Sequence, residues 1–596
     1  MVHTNKGPVA GIDFNVEGKT VYGYLGIPFA QPPVGSLRFQ PPQPIETVWK
    51  QPFDATSLPY ACPQGLPIPD LSQDTKHGQI REDCLYINVW TPSASSTSKL
   101  PVFVFIHGGA YFYGSGSRWQ GKVLASNQNI IVVTMNYRLG AFGFMTPGEK
   151  VDGKHVIEPN LGLYDQRLAL QWVRENIAQF GGDPNKITAS GNSVGAMSVG
   201  LHTMSPGSKG LIHRAILDSG TPQFPEFFHP DFTTPRKVFE EAVKHSNCAR
   251  ANTAETVACL QDLPMQELLG AQFKTMGVYP FGFSVAVDDQ FLPDNPETLL
   301  KNGQYEKVPT MIGTTSDDGS VFVRMGGYPD IEKGLSTENF FASIDVFFKA
   351  FSKQTRSAIK FRYTNWIKEN DPLAVRDEAT KLFNDYFFAA PADKCAQQYA
   401  SDGVPTYYFE FAFPTKLSFI FPSYLGVTHT MEMPQVVGYP IDKPASFLAN
   451  FTDEDVKVSR RMMETWGNFI KYGGDPNTPN LDGIAWPRFY GNSSQYYVFT
   501  ASPAVRDHLR SNNMRFWNHL IPKLNATQPL SVATISTTSS PTTKLPLTTQ
   551  LSPLLQELHT YRLALWITLG AACFLAILSL ILGIMVAKIR NRPMKS

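Results

Sequence analysis

Short runs of consecutive apolar residues, each ending abruptly in small or polar ones, set the pattern of this chain. Pro101–Ile106 (PVFVFI) runs into His107, Gly108 and Gly109. Ile130–Thr134 (IIVVT) runs into Asn136, Tyr137 and Arg138, and Ile187–Ala189 runs into Gly191. An uninterrupted apolar strand is buried on both faces, so the first two runs predict a parallel or mixed sheet covered by helices. Between the second and third runs, residues 163–180 place Leu168, Trp172, Val173, Ile177 and Phe180 at the spacing of an amphipathic helix, which Gly181 and Gly182 end. Strand, helix and strand in alternation predict a large α/β domain. In such sheets ligands bind beyond the carboxyl ends of the strands, which is where reactive residues are sought.

A different pattern closes the chain. Residues 563–587 (LALWITLGAACFLAILSLILGIMVA) are 25 consecutive residues without a charge. As a helix they span about 37 Å, against about 30 Å for a bilayer core. Trp566 stands near one end, where an interfacial aromatic belongs. Lys588, Arg590, Arg592 and Lys595 follow within the nine-residue tail 588–596, while Arg562 alone lies close upstream. The positive-inside rule puts that tail in the cytosol and the long N-terminal part outside. A run this long and so flanked fits a membrane better than a buried core helix, and a glycolipid-anchor signal ordinarily ends without a basic cluster. Ser, Thr and Pro dominate 531–553, which reads as an O-glycosylated stalk or a plain linker. The expected division is a folded body over 1–522, a stalk over 523–562, a transmembrane helix over 563–587 and a cytoplasmic tail over 588–596.

The first residues (MVHTNKGPVAGIDFNVEGK) contain no apolar run of signal-peptide length. Either a leader is missing from the sequence or the protein is tail-anchored toward the cytosol. The stalk favours the outside, and so do the sequons at Asn450 (Asn450-Phe451-Thr452), Asn492 (Asn492-Ser493-Ser494) and Asn525 (Asn525-Ala526-Thr527). The expectation is therefore a single-pass type I membrane glycoprotein.

Composition narrows the function classes. Of 596 residues, 42% are hydrophobic and 17% charged, an ordinary globular balance. The 52 basic and 51 acidic residues give a net charge of +1, which gives no reason to expect a nucleic-acid partner. No Cys-x-x-Cys pair supports a zinc site, and nothing in the chain asks for a metal or cofactor.

Ser193 stands in Gly191-Asn192-Ser193-Val194-Gly195, a Gly-x-Ser-x-Gly match. Alone the match has low specificity. Here a strand precedes it and residues 196–204 (AMSVGLHTM) follow as a plausible helix. A sharp strand-to-helix turn lifts the serine Oγ into the cleft, and flanking side chains larger than glycine would clash. His107-Gly108-Gly109-Ala110 follows another strand, and N–H groups in such a loop, with that of Val194, suit a tetrahedral oxyanion. A serine nucleophile further needs a histidine to take its proton and a carboxylate to hold the histidine's tautomer. Of twelve histidines, His429 lies in a loop after the strand-like 407–411. Asp317 and Asp318 follow the strand-like 310–313, and the residues alone do not choose between them.

These blocks resemble the type-B carboxylesterase and cholinesterase family over nearly the whole body. Residues 26–39 (GIPFAQPPVGSLRF) resemble its N-terminal block, and 82–90 (EDCLYINVW) its second signature. Residues 136–140 (NYRLG), 162–166 (GLYDQ) and 180–184 (FGGDP) lead into the serine turn in the family's order. The resemblance implies the α/β-hydrolase fold, with Ser193 as nucleophile, His429 as general base and then acid, and Gly108, Gly109 and Val194 as oxyanion hole. It places Asp318 at the position of the family's usual glutamate. It pairs Cys62 with Cys84 and Cys248 with Cys259, bridges that persist outside the cytosol. Cys395 is left without a partner, since Cys573 lies in the apolar run.

Four departures stand out. Asp318 is one methylene shorter than the usual glutamate. Val194 replaces a smaller residue, and Asn192 replaces the glutamate common in the animal enzymes. No tryptophan lies between Cys62 and Cys84, where cholinesterases place the one that stacks on choline, which disfavours a choline ester. Phe224, Phe227 and Phe228 line an acyl pocket or belong to the core. Two functions of different class fit: a membrane-anchored serine hydrolase of small carboxylic esters, and a cell-surface adhesion protein on a retired hydrolase fold. Retention of serine, histidine and acid favours the enzyme.

Overall fold

The computed structural model describes residues 1–526 apart from 66–78, 94, 327, 329, 416–421, 445–449, 480–482 and 492. Eleven strands form the main sheet. They are β1 (Ile12–Val16), β2 (Lys19–Pro28), β3 (Tyr86–Thr91), β4 (Leu100–Ile106), β5 (Ile131–Met135) and β6 (Gly182–Asn192). They continue as β7 (Arg214–Asp218), β8 (Thr310–Thr315), β9 (Thr406–Phe411), β10 (Gln495–Phe499) and β11 (Ala504–Asp507). Their spatial order is β11-β10-β9-β8-β7-β6-β4-β5-β3-β2-β1. The run from β5 through β10 is parallel throughout. Both flanks add antiparallel strands, so the sheet as a whole is mixed.

The apolar run of β4 is buried on both faces, as such a run requires. Val102, Val104 and Ile106 join one core, with Leu170, Trp172 and Val173 of helix α1 (Leu161–Asn176). Phe103 and Phe105 point into the opposite core, with Met462, Trp466 and Phe469 of helix α3 (Asp453–Lys471). Helix α1 passes into a 3-10 turn over Ile177–Phe180, and Gly181 closes it in the left-handed region at φ 86°. The expected helix over 163–180 is therefore one α-helix and a tighter last turn.

Strand β6 runs beyond the apolar triplet that predicted it. Its last residues pair with β7 in register, Gly191 opposite Leu217 and Asn192 opposite Asp218. They are small or polar and leave no apolar run, yet they are buried.

The two expected disulfides are present, Cys62–Cys84 and Cys248–Cys259, and Cys395 is a buried free thiol. The last described helix, Ile521–Ala526, holds the first residues of the expected stalk. Among the described residues no helix is long and apolar enough to cross a membrane. The run at 563–587, the tail and the rest of the stalk lie outside the described residues.

Candidate active site

Strand β6 passes into helix α2 (Val194–Met204) through Ser193, whose φ of 60° and ψ of −130° mark a strained turn. The Ser193 N–H donates to the Asp218 carbonyl at 2.8 Å, fixing the turn to the end of β7. A Cβ on Gly191 would lie 2.2 Å from the Gly195 carbonyl carbon, and one on Gly195 would lie 2.2 Å from the Ile106 oxygen. Both contacts are with backbone, so the flanking glycines of the motif are a steric necessity. Val194 is the first residue of α2, and the first N–H groups of a helix have no acceptor within it.

The loop after β4 lies directly against this turn. A Cβ on Gly108 would come within 2.8 Å of Ser193 Cβ and 2.5 Å of the Asn192 oxygen. The Tyr137 hydroxyl donates to the His107 carbonyl at 2.7 Å, and the two rings stack at 4.3 Å. Burial pushes the His107 imidazole down to about 4, so it is neutral at physiological pH. Gly108 and Gly109 are thus held by a neutral, anchored neighbour.

Asp318, in the loop after β8, is fully buried, and His429, in the loop after β9, is 8% exposed. They meet at 2.8 Å between Asp318 Oδ1 and His429 Nδ1. Asp318 Oδ2 accepts two further bonds, from the Ser219 hydroxyl at 2.9 Å and the Thr315 N–H at 2.8 Å. An ionised carboxylate only accepts, so His429 Nδ1 carries the proton and Nε2 is left as the acceptor. The neighbouring Asp317 takes a different part. Its Oδ2 accepts the Val427 N–H at 3.0 Å, and its own N–H donates to the Val427 carbonyl at 3.1 Å. Both aspartates therefore hold the histidine loop, one by its backbone and one by its side chain. The Ser320 hydroxyl adds a bond to Thr428 Oγ1 at 2.7 Å. The Phe388 ring lies 4.8 Å from the imidazole.

A model of the carboxylesterase family matches residues 1–517. The chain belongs to the carboxylesterase family. Membership supports carboxylic ester hydrolysis and a small-molecule ester substrate in general terms. Blocks that carried the family resemblance in sequence meet as ion pairs, one partly buried and one buried. Arg38 Nε donates to Glu82 Oε2 at 2.7 Å, joining the N-terminal block to the second signature. Arg138 grips Asp165 with two bonds of 2.7 and 2.8 Å, joining 136–140 to 162–166.

Other expected residues fall as follows. Phe224 and Phe227 are buried and pack against each other as tilted rings 5.0 Å apart; Phe224 lies 5.3 Å from Phe388, one ring away from His429. Phe228 is half-buried in a short strand paired with Val285. Asn450 is exposed, Asn525 is half-buried on the last helix, and Asn492 lies outside the described residues. Among the described residues no group of three or more His, Cys, Asp or Glu is arranged to hold a metal ion. Reading the sequence missed Ser219, the Thr315 N–H and Glu432. Nothing in the residue type of Ser219 points toward Asp318.

Proposed function

We propose that the protein is a membrane-anchored serine carboxylic ester hydrolase that works through an acyl-enzyme. The observation that carries this reading is the buried Asp318–His429 bond, joined to the serine turn through Ser219 and Asp218. Ser193 Oγ attacks the acyl carbon while His429 Nε2 takes its proton. The N–H groups of Gly108, Gly109 and Val194 receive the negative charge on the former carbonyl oxygen, a contribution of about 3 kcal/mol to the barrier for one donor. His429 then gives the proton to the departing alcohol, leaving an ester on Ser193. Water adds to that ester with His429 again as base, and the acid leaves. Asp318 stays ionised and stabilises the imidazolium formed in each step. Anchoring rests on residues 563–587 and on the basic tail behind them.

The test uses the full-length chain in detergent, with a short-chain nitrophenyl ester. Turnover and labelling of Ser193 by an organophosphate are expected, and Ser193→Ala abolishes both. A folded wild type that does neither overturns the enzyme in favour of the adhesion reading. Retention of the chain in carbonate-washed membranes, and its release when 563–596 are deleted, checks the anchor.

A further inference from the structure

Asn192 is the residue just before Ser193 and Glu432 stands three residues after His429. Their side chains meet at 2.6 Å, Asn192 Nδ2 donating to Glu432 Oε1 across 240 residues of sequence. Both are almost completely buried, at 3% and 1% exposure. Glu432 also caps its own turn, its backbone oxygen accepting the Gln435 and Val436 N–H groups at 3.0 and 3.1 Å. The bond therefore runs between the end of β6 and the rigid end of the histidine loop.

Among the described residues, three other side-chain ties on that loop come from one side. Asp317 holds Val427, Ser320 holds Thr428 and Asp318 holds His429, and all three partners belong to the segment after β8. Asn192–Glu432 is a side-chain tie from the nucleophile side. We propose that Asn192 and Glu432 are positioning residues whose hydrogen bond fixes the His429 loop against the Ser193 turn and so sets the reach from imidazole to hydroxyl. This inference rests on the serine-hydrolase reading of the same site.

Glu432 plays this part as a neutral acid. Burial pushes its carboxyl well above the usual range, and the neighbouring carboxyls of Asp218 at the end of β7 and Asp318 after β8 push it further. His429, the titratable group on its own loop, is committed to Asp318. Glu432 Oε2 is buried and has no hydrogen-bond partner among the described residues. A buried oxygen without a donor is tolerated far better on a neutral acid than on a carboxylate. The neutral amide at 192 fits this arrangement, since it supplies a donor without adding a charge to a buried site that already holds the carboxyls of Asp218 and Asp318.

The experiment compares full-length wild type with Glu432→Ala, Glu432→Gln, Asn192→Ala and the double alanine variant on a short-chain nitrophenyl ester. A loop displaced by about 1 Å loses about 100-fold in rate. Each alanine variant is therefore expected to lose about 10- to 100-fold in kcat with KM within about threefold. The double variant should be no more than about threefold worse than the poorer single one, because both remove the same bond. Glu432→Gln mimics the neutral acid and should keep kcat within about threefold, with a pH–rate profile that overlies the wild type's. Alanine variants at full kcat, losses that multiply in the double variant, or a glutamine variant as poor as alanine would each overturn the proposal. Should Glu432→Ala fail to fold, Asn192→Ala carries the same expectation. A folded wild type that neither turns over nor labels at Ser193 removes the hydrolase reading and this inference with it; an active wild type beside unaffected alanine variants removes this inference alone.

Discussion

Replacing Asp318 by asparagine changes one atom and reverses the logic of the site. The carboxylate now accepts three bonds: His429 Nδ1–H on Oδ1, and the Ser219 hydroxyl and Thr315 N–H on Oδ2. An amide has one accepting end and one donating end. The Thr315 N–H is a backbone donor that cannot turn, so the amide oxygen must face it and the NH2 must face His429. His429 Nδ1 then becomes the acceptor, and its proton moves to Nε2, the atom that must take the proton of Ser193. A wrong tautomer of this kind lowers kcat about 10⁴-fold, or about 5.5 kcal/mol of barrier. KM should change little, because the lost interaction is made only in the transition state. Asp317→Asn is the contrast: its amide oxygen still accepts the Val427 N–H, so kcat should stay within about tenfold. Steady-state hydrolysis of a nitrophenyl ester, with thermal melts to confirm folding, measures both. A folded Asp318→Asn protein within tenfold of wild type would show that Asp318 does not set the tautomer of His429.

Gly108→Ala places a methyl 2.5 Å from the Asn192 oxygen, a backbone atom that cannot give way, and should lower kcat at least about 100-fold through the displaced oxyanion loop. Unchanged turnover would remove that loop from the mechanism. Replacing Cys62 and Cys84 by serine opens a link between residues 22 apart and should cost about 3 kcal/mol, read as a lower urea midpoint without reductant. His202 is buried against Gln166 and Ser208, and burial pushes its imidazole down to about 3 from the ordinary 6.5. Between those values the unfolded chain binds a proton that the folded one refuses. Stability from this group is therefore full above about pH 6.5 and falls as the pH drops, by about 2 to 3 kcal/mol at pH 4.5. A His202→Gln variant should lose less over that interval in urea titrations at several pH values. Equal losses in both proteins would refute the assignment. The raised carboxyls of Asp218 and Glu432 act in the opposite sense, losing stability as pH rises, and are common to both proteins.

How much of this was legible depends on what each residue must advertise. Apolar runs announced β4 and β5 because strands buried on both faces admit little else. The end of β6 gave no such sign, since Ser190, Gly191 and Asn192 are small or polar and are buried by pairing rather than by hydrophobicity. Ser193 was legible from its glycines, for which the structure supplies the steric reason. Asp317 and Asp318 are chemically identical neighbours, and only the turn decides which faces His429. Glu432 was invisible because a buried acid and a solvated one read alike in sequence. So was the π-helical turn over Asn384–Ala389, which brings Phe388 to His429 without a helical period to announce it.

The same loop bears on the shorter acid. Asp318 reaches His429 at 2.8 Å although it lacks the methylene of glutamate. Its loop is pressed onto the backbone of the helix end behind it: a Cβ on Gly319 would lie 2.2 Å from the Asn384 nitrogen and 2.3 Å from the Thr380 oxygen. From the other side, a Cβ on Gly426 would lie 2.6 Å from Asp317 Oδ2, so the histidine loop is drawn in just as closely. Asp318 thus sits between two closely packed loops. Asp318→Glu, which restores the family's more usual acid, should therefore impair this protein. The added methylene enters a fully buried site whose three bonds are already made, at a cost of about 1–3 kcal/mol in stability, and it drives the carboxylate past the imidazole. A lower melting temperature together with a kcat reduced at least tenfold is expected. Wild-type stability and turnover in Asp318→Glu would mean that the loop has slack, and that the close packing around Gly319 is not what fits aspartate to this site.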